Sequence, residues 1–417
     1  MNPTRQFHHR PADWLLGSQL APYVDAFKHH LTEGRYSSHT AGTYIACIAH
    51  FAHWATQRLL DIQQINEGLV EEFLDGHLPC CDCAWPVHRV RNDMRAALGH
   101  LLFVLRANAV IPEPALGTTP VDVELRRFDD HMDHVRGLAP KTRDQYLRII
   151  RDLLIQQFAD QPVVIPTVKP DDVRQFLASQ STLYKTPGSL GLPVSALRGY
   201  FRFRASCGDP VHHLVGVVNY PANWQQASLP KALGRDEVER LLGALGDPGQ
   251  SSRRDDAIVR CALDLGLRSA EVAKLGLDDI DWRAGTITLR KTKSRREDVM
   301  PLPDATGRAI ADYLRFERPQ TTNRAVFVRR IAPCDQPIGP DLVRKAIRQA
   351  YARAGLPYTR SHLLRHTLAS RLLEGGGSLK EVADVLRHRS LNTTLIYAKL
   401  DSRNLAAVAL PWPGSAS

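Results

Sequence analysis

Two proline-rich stretches constrain the folding of this chain more than any other feature. IPEPALGTTP (111–120) carries three prolines and a glycine, and NYPANWQQASLPK (219–231) carries two prolines among polar residues. Proline has no amide hydrogen and clashes with the preceding helical turn, so neither stretch can sit inside a helix or a central strand. They divide the 417 residues into pieces of about 18–110, 121–218 and 228–417. Each piece is long enough to bury a core of its own.

The first two pieces repeat one another. Ser37-Ser38-His39-Thr40 with Tyr44 matches Ala139-Pro140-Lys141-Thr142 with Tyr146, at an offset of 102 residues. Val70-Glu71-Glu72-Phe73-Leu74 matches Val173-Arg174-Gln175-Phe176-Leu177 at an offset of 103. Each piece closes on a helical segment bearing aromatics, MRAALGHLLFVL and VSALRGYFRFR. Two ordinary bundles sharing a common pattern would look similar, but a duplication explains both offsets at once. Either way, both pieces are expected to be mostly α.

The third piece mixes periods. RRDDAIVRCALDLGL has helical spacing, whereas DDIDWRAGTITLRKTKSRREDVMPLP reads as strand, turn and strand, with β-branched Thr286, Ile287 and Thr288 before a basic turn. Helices follow: PDATGRAIADYLRFE, GPDLVRKAIRQAYARAG, the HLLRH segment, SLKEVADVLRH and the segment around LNTTLIYAKL. Ser378 and Glu381 form a capping box after the stop at Gly375–Gly377. The fold class expected is mainly α with a small β-sheet.

Charge narrows the partners. Lys and Arg number 54 against 44 Asp and Glu, a net +10 with a pI near 9.4. That excess suits a polyanion, nucleic acid before membrane. MNPTRQFHHRPADWLLGSQL lacks the apolar core of a signal peptide, and no apolar run approaches a membrane span. Seven cysteines, four of them scattered singly (Cys47, Cys207, Cys261, Cys334), predict a reduced, cytoplasmic protein without a disulfide framework.

Five motifs in the third piece carry chemistry: GLRSAE (266–271), TKS (292–294), HLLRH (362–366), RH (387–388) and Tyr397. Each has an ordinary reading alone. Arg268 pairs with Glu271, Lys293 belongs to a solvated basic turn, His388 ends a helix, and Tyr397 packs in a core. Together they supply what phosphodiester cleavage by a side chain needs. A hydroxyl attacks, donors hold the non-bridging oxygens, a base assists attack and an acid protonates the leaving alkoxide. Arginine grips phosphate oxygens with two parallel bonds, and Arg268 and Arg365 are both available. A tyrosine with a pKa near 10 becomes a good nucleophile only when nearby cations favour its phenolate.

The order and spacing resemble the tyrosine recombinase (phage-integrase-type) family. The resemblance covers nearly all of 228–417 and fills six positions: Arg268, Lys293, His362, Arg365, His388 and Tyr397. It implies a catalytic domain at 228–417 and a core-binding DNA clamp at 121–218. The piece at 18–110 would then be a second core-binding-like (SAM-like) bundle. It also implies a site-specific recombinase, integrase or transposase type, that cuts and rejoins double-stranded DNA through a 3′-phosphotyrosyl intermediate. Such an enzyme needs no cofactor and works as a homo-tetramer on DNA, as dimer or monomer when free, with accessory recombinases as further partners. Within the site, Glu271 would brace Arg268 and His366 would support the HLLRH box. The family commonly has glycine before the last histidine, where this chain has Arg387. A left-handed backbone there would cost arginine about 1 kcal/mol relative to glycine. A type IB topoisomerase-like enzyme and a non-catalytic accessory recombinase are the alternatives; the complete HLLRH box and the integrase-like layout argue against the first, and the six filled positions against the second.

Three further expectations complete the reading. Lys141, Arg143, Arg148, Arg198, Arg202 and Arg204 are the candidates for backbone-phosphate contact in the clamp. In HLPCCDCAWPVH (77–88), Cys-x-Cys spacing is tight for one ion and no second cysteine pair answers it. No metal is therefore expected, with Cys80, Cys81, Cys83 and His88 as the weak candidate set beside His77. The tail after Tyr397, with Leu405, Val408, Leu410 and Trp412, is too short for a core and is expected to dock on a neighbouring protomer.

Overall fold

The computed structural model describes residues 9–83, 87–113, 119–220, 222, 230–246, 252–290, 297–388 and 394–400. Two compact units form: Met1–Arg58 with Cys81–Val104 and Gln226–Ser417, and Leu59–Cys80 with Leu105–Gln225. Among the described residues no helix is long and apolar enough to cross a membrane. The architecture is helical with one three-stranded sheet.

The sheet belongs to the first unit. Strands β1 (Ile280–Asp281), β2 (Thr286–Leu289) and β3 (Asp298–Pro301) pair antiparallel in that order. Ile287 faces Ile280 on one side and Met300 on the other. Ile287 and Leu289 turn into the core while Thr286 and Thr288 stay half-buried, the period of two expected from TITL. The two expected strands are thus present, and the basic turn between them, at 291–296, lies outside the described residues. Helices Arg253–Asp264, Asp304–Phe316 and Pro340–Arg353 close the core with Ile258, Ile310, Phe327, Ile347 and Tyr351.

In the second unit four helices each begin with proline: Pro120–Asp130, Pro140–Phe158, Pro170–Leu183 and Pro187–Ser206. Proline suits that first position because its fixed φ is helical and the missing amide would have no intrahelical partner. Phe128, Ile150, Leu154, Phe176, Tyr200 and Phe201 are fully buried between them. The element order also recurs along the chain. Ser38–Gln57, the single turn Ile62–Gln64 and Glu67–Glu72 are matched by Pro140–Phe158, the single turn Ile165–Thr167 and Pro170–Leu183.

Two of the six cations expected on phosphates are engaged inside the protein instead. Arg204 is buried, donates from Nη1 to both Glu124 oxygens at 2.9 Å, and pairs through Nε with Asp209 at 2.5 Å. Tyr200 donates to the same Glu124 at 2.8 Å. A buried cation must be paired, and pulling Arg204 out would strand Glu124, so it is no phosphate ligand. Arg143 is likewise held by Asp129 at 2.8 Å and Asp133 at 2.5 Å. Arg198 lies over the Tyr220 ring, 5.3 Å from its centroid. Lys141, Arg148 and Arg202 are exposed.

The cysteine-rich stretch also differs from expectation. Cys80 donates to the Gly76 carbonyl at 3.0 Å, and His88 Nε2 pairs with Asp93 at 2.9 Å. Half of the weak metal-ligand set is therefore occupied elsewhere.

Candidate active site

The site is assembled around one buried arginine. Arg365, in the first turn of the His362–Glu374 helix, is 5% exposed. Its Nη1 donates to the Gly266 carbonyl at 2.5 Å and its Nη2 to the Leu386 carbonyl. These acceptors come from the turn before Arg268 and the turn before His388, so one guanidinium ties three motifs together. Gly266 has φ +59°, and a Cβ there would lie 2.9 Å from Leu368 and 3.0 Å from Leu386. Only glycine fits this turn. Burial, then the Arg268 and Arg387 cations, pull the Arg365 pKa down to about 9, which still leaves it cationic at neutral pH.

Glu271 is the counter-charge. Arg268 caps the short Ser269–Lys274 helix, its amide donating to Glu271 Oε2 at 2.8 Å and its Nη1 to Oε1 at 2.7 Å. The brace expected between them is present. A second cation was not foreseen: Arg387 Nη2 lies 3.1 Å from Glu271 Oε2, with side chains only 5% and 7% exposed. Burial works against the Glu271 charge, but Arg387 and Arg268 hold its pKa below the usual carboxylate value. Arg387 has φ +54°, the left-handed backbone considered for that position. Its Nη1 also meets Met300 Sδ at 2.6 Å and the Val385 carbonyl at 3.0 Å, while its buried Nε has no hydrogen-bond partner among the described residues.

Tyr397 is 1% exposed and packs with Ala369, Val382 and Leu386. Its hydroxyl lies 2.6 Å from His366 Nδ1. The expectation that cations favour its phenolate is reversed in this state. Burial pushes the phenol up to about 12, and Arg365 only partly offsets it. His388 Nδ1 lies 2.7 Å from Thr394 Oγ1, a contact no motif announced. Burial, then Arg365 and Arg268, push His388 down to about 4, so it is neutral at physiological pH. His362 stays open to solvent, its pKa lowered first by partial desolvation and then by Arg365 and Arg268. Arg268 and Arg387 thus share Glu271, His366 contacts Tyr397, and Arg365 is tied through two carbonyls to the turns before Arg268 and before His388. Lys293 and the tail residues Leu405, Val408, Leu410 and Trp412 lie outside the described residues.

Arg268, Arg365 and Arg387 gather around Glu271, with Asp298 as a further counter-charge to Arg387, so cations outnumber carboxylates beside the phenol. Comparison with known proteins agrees with that chemistry. Residues 231–403 match the phage integrase family, and residues 125–208 match the phage integrase N-terminal SAM-like domain. The chain is 35% identical over 402 residues to the putative integrase/recombinase y4rA of Sinorhizobium fredii (strain NBRC 101917 / NGR234), covering 95% of each chain. In fold it is similar to the XerH site-specific recombinase bound to palindromic difH substrate, with TM-score 0.52, 17% identity, and 82% of this chain and 95% of that one covered. It is also similar to the lambda integrase tetramer bound to a Holliday junction, with TM-score 0.50, 18% identity, and 75% and 91% covered. The chain belongs to the phage integrase family and is a tyrosine-type site-specific recombinase.

Proposed function

We propose that this recombinase cuts and rejoins duplex DNA through Tyr397. The phenolic oxygen attacks a backbone phosphate, a 3′-phosphotyrosyl bond forms and the 5′-oxygen leaves as a hydroxyl. A 5′-hydroxyl from a partner duplex then reverses the exchange, so the bond energy is retained. Arg268 and Arg365 hold the non-bridging oxygens, His388 assists them and His362 serves as base or phosphate ligand. Lys293 protonates the leaving oxygen. Glu271 fixes Arg268, and His366 orients the Tyr397 hydroxyl. One observation carries the reading: the Tyr397 hydroxyl sits 2.6 Å from a histidine adjacent to Arg365, whose guanidinium binds the turns leading to Arg268 and His388.

Burial of Tyr397 has a functional consequence. The hydroxyl cannot meet a phosphate where it lies, so DNA binding has to uncover it. A phenol held near 12 also remains protonated until a phosphate and its ligands surround it. The free protein is therefore protected from idle cleavage. By similarity to the lambda integrase tetramer, the working form is a homo-tetramer joining two duplexes. The chain divides functionally into 18–110, 121–218 and 228–417: a duplicated bundle, a clamp and a catalytic domain. The recurring element order at 38–72 and 140–183 supports the duplication.

A nicked suicide substrate bearing the recombination site tests this. The protein should become covalently attached to DNA, and Tyr397→Phe should lose the adduct while binding the same DNA. An adduct of undiminished yield in Tyr397→Phe would overturn the assignment.

A further inference from the structure

The first unit contains a second cluster of reactive side chains, remote in sequence from the recombinase motifs. His50, buried in the Ser38–Gln57 helix, directs Nε2 to within 3.3 Å of Cys81 Sγ. Within that unit the ligand atoms of His50, Cys81 and Cys83 all lie within 4.8 Å of one another. Ligands on a tetrahedron around zinc, with bonds of about 2.0–2.3 Å, sit roughly 3.3–3.8 Å apart. The cluster needs only a small contraction to reach that spacing.

The surroundings of His50 point the same way. Its Nδ1 lies 3.1 Å from the His88 carbonyl. A carbonyl can only accept, so Nδ1 carries the proton and Nε2 presents its lone pair toward Cys81. A backbone carbonyl that fixes the tautomer and points the other nitrogen at the metal is the usual support of a metal-bound histidine. The tight Cys-x-Cys spacing counted against a metal while partners were sought in the cysteine stretch itself. His50, from a helix thirty residues earlier, removes that objection.

We propose that His50, Cys81 and Cys83 bind one zinc ion. Cys81 and Cys83 bind as thiolates and release their two protons to solvent, so two anionic sulfurs neutralise the divalent ion and suit a half-buried position. These three supply all but one corner of a tetrahedral site. The ion is structural, fastening the Cys81–Cys83 loop to the Ser38–Gln57 helix, and takes no part in phosphoryl transfer. Cys80 and His88 are not ligands: Cys80 bonds the Gly76 carbonyl, and His88 contributes its own carbonyl.

Elemental analysis of the full, untagged chain purified under reducing conditions tests the assignment. About one zinc per chain is expected. Cys81→Ser, Cys83→Ser and His50→Ala should each lower the zinc content several-fold, while Cys80→Ser keeps it. Should those variants fail to fold, Co²⁺ titration of the metal-stripped wild-type chain gives an independent reading. Tetrahedral d–d bands with thiolate charge transfer, lost on adding equimolar Zn²⁺, are expected. A metal-free wild type with no cobalt spectrum overturns the proposal, as does undiminished zinc in Cys81→Ser and Cys83→Ser. Either result would leave the assignment of Tyr397 untouched.

Discussion

Arg387 offers a sharp test of how the site is held, because two opposing contributions meet in one residue. Its φ of +54° disfavours any side chain, so replacing it by glycine should gain about 1 kcal/mol. Against this stands the 3.1 Å contact with Glu271 between nearly buried side chains. Stranding a buried charge costs about 3–5 kcal/mol. Glu271, however, retains the Arg268 guanidinium at 2.7 Å and the Arg268 amide at 2.8 Å. The loss is then that of one charged hydrogen bond, about 1.5–3 kcal/mol. Arg387→Ala should therefore destabilise the catalytic core by about 2 kcal/mol, and Arg387→Gly by about 1 kcal/mol. Denaturant midpoints at unchanged slope measure both. Cleavage of a suicide substrate should respond differently, falling by a similar factor in both variants because both lose the contact that steadies Glu271 and Arg268. The reasoning fails if Arg387→Gly is no more stable than Arg387→Ala, or if Arg387→Gly cleaves at the wild-type rate.

Two further predictions concern titration and proton transfer. His388 is depressed to about 4, and His362 and His366 are also lowered, so between pH 6.5 and 4 the unfolded chain binds more protons than the folded one. DNA-free stability should be full above pH 6.5 and fall as pH drops through that window. His388→Asn should flatten the decline, and an unchanged pH profile would contradict the burial argument. Lys293→Ala should slow cleavage of ordinary DNA far more than cleavage of DNA with a bridging 5′-thio group, since a thiolate leaves without a proton. Equal losses on both substrates would make Lys293 a phosphate ligand and not the acid.

Local features were legible in the sequence because they depend on near neighbours. Pro140 and Pro170 mark helix starts, Ser378 and Glu381 form the capping box, and Thr286–Thr288 announces the hairpin strand. The HLLRH spacing places Arg365 and His366 toward the site, while His362 stays exposed. What escaped were pairings between distant segments. Arg204 reads as one cation of a basic helix until Glu124 is seen beside it. Arg387 reads as a misplaced residue until Glu271 explains it. His50 carries no signal in its own helix, since its significance lies in Cys81. The Tyr397 pKa could not be read either, because its direction depends on burial outweighing the nearby cation.

The central claim is that Tyr397 is the nucleophile and that it captures the 3′ side of the break. Protease digestion of the adduct trapped on a suicide substrate, followed by mass spectrometry, reads both points at once. The nucleotide should be attached through a 3′-phosphate to the peptide containing Tyr397, and the complementary fragment should carry a free 5′-hydroxyl. Attachment at any other residue, or through a 5′-phosphate, would contradict the account.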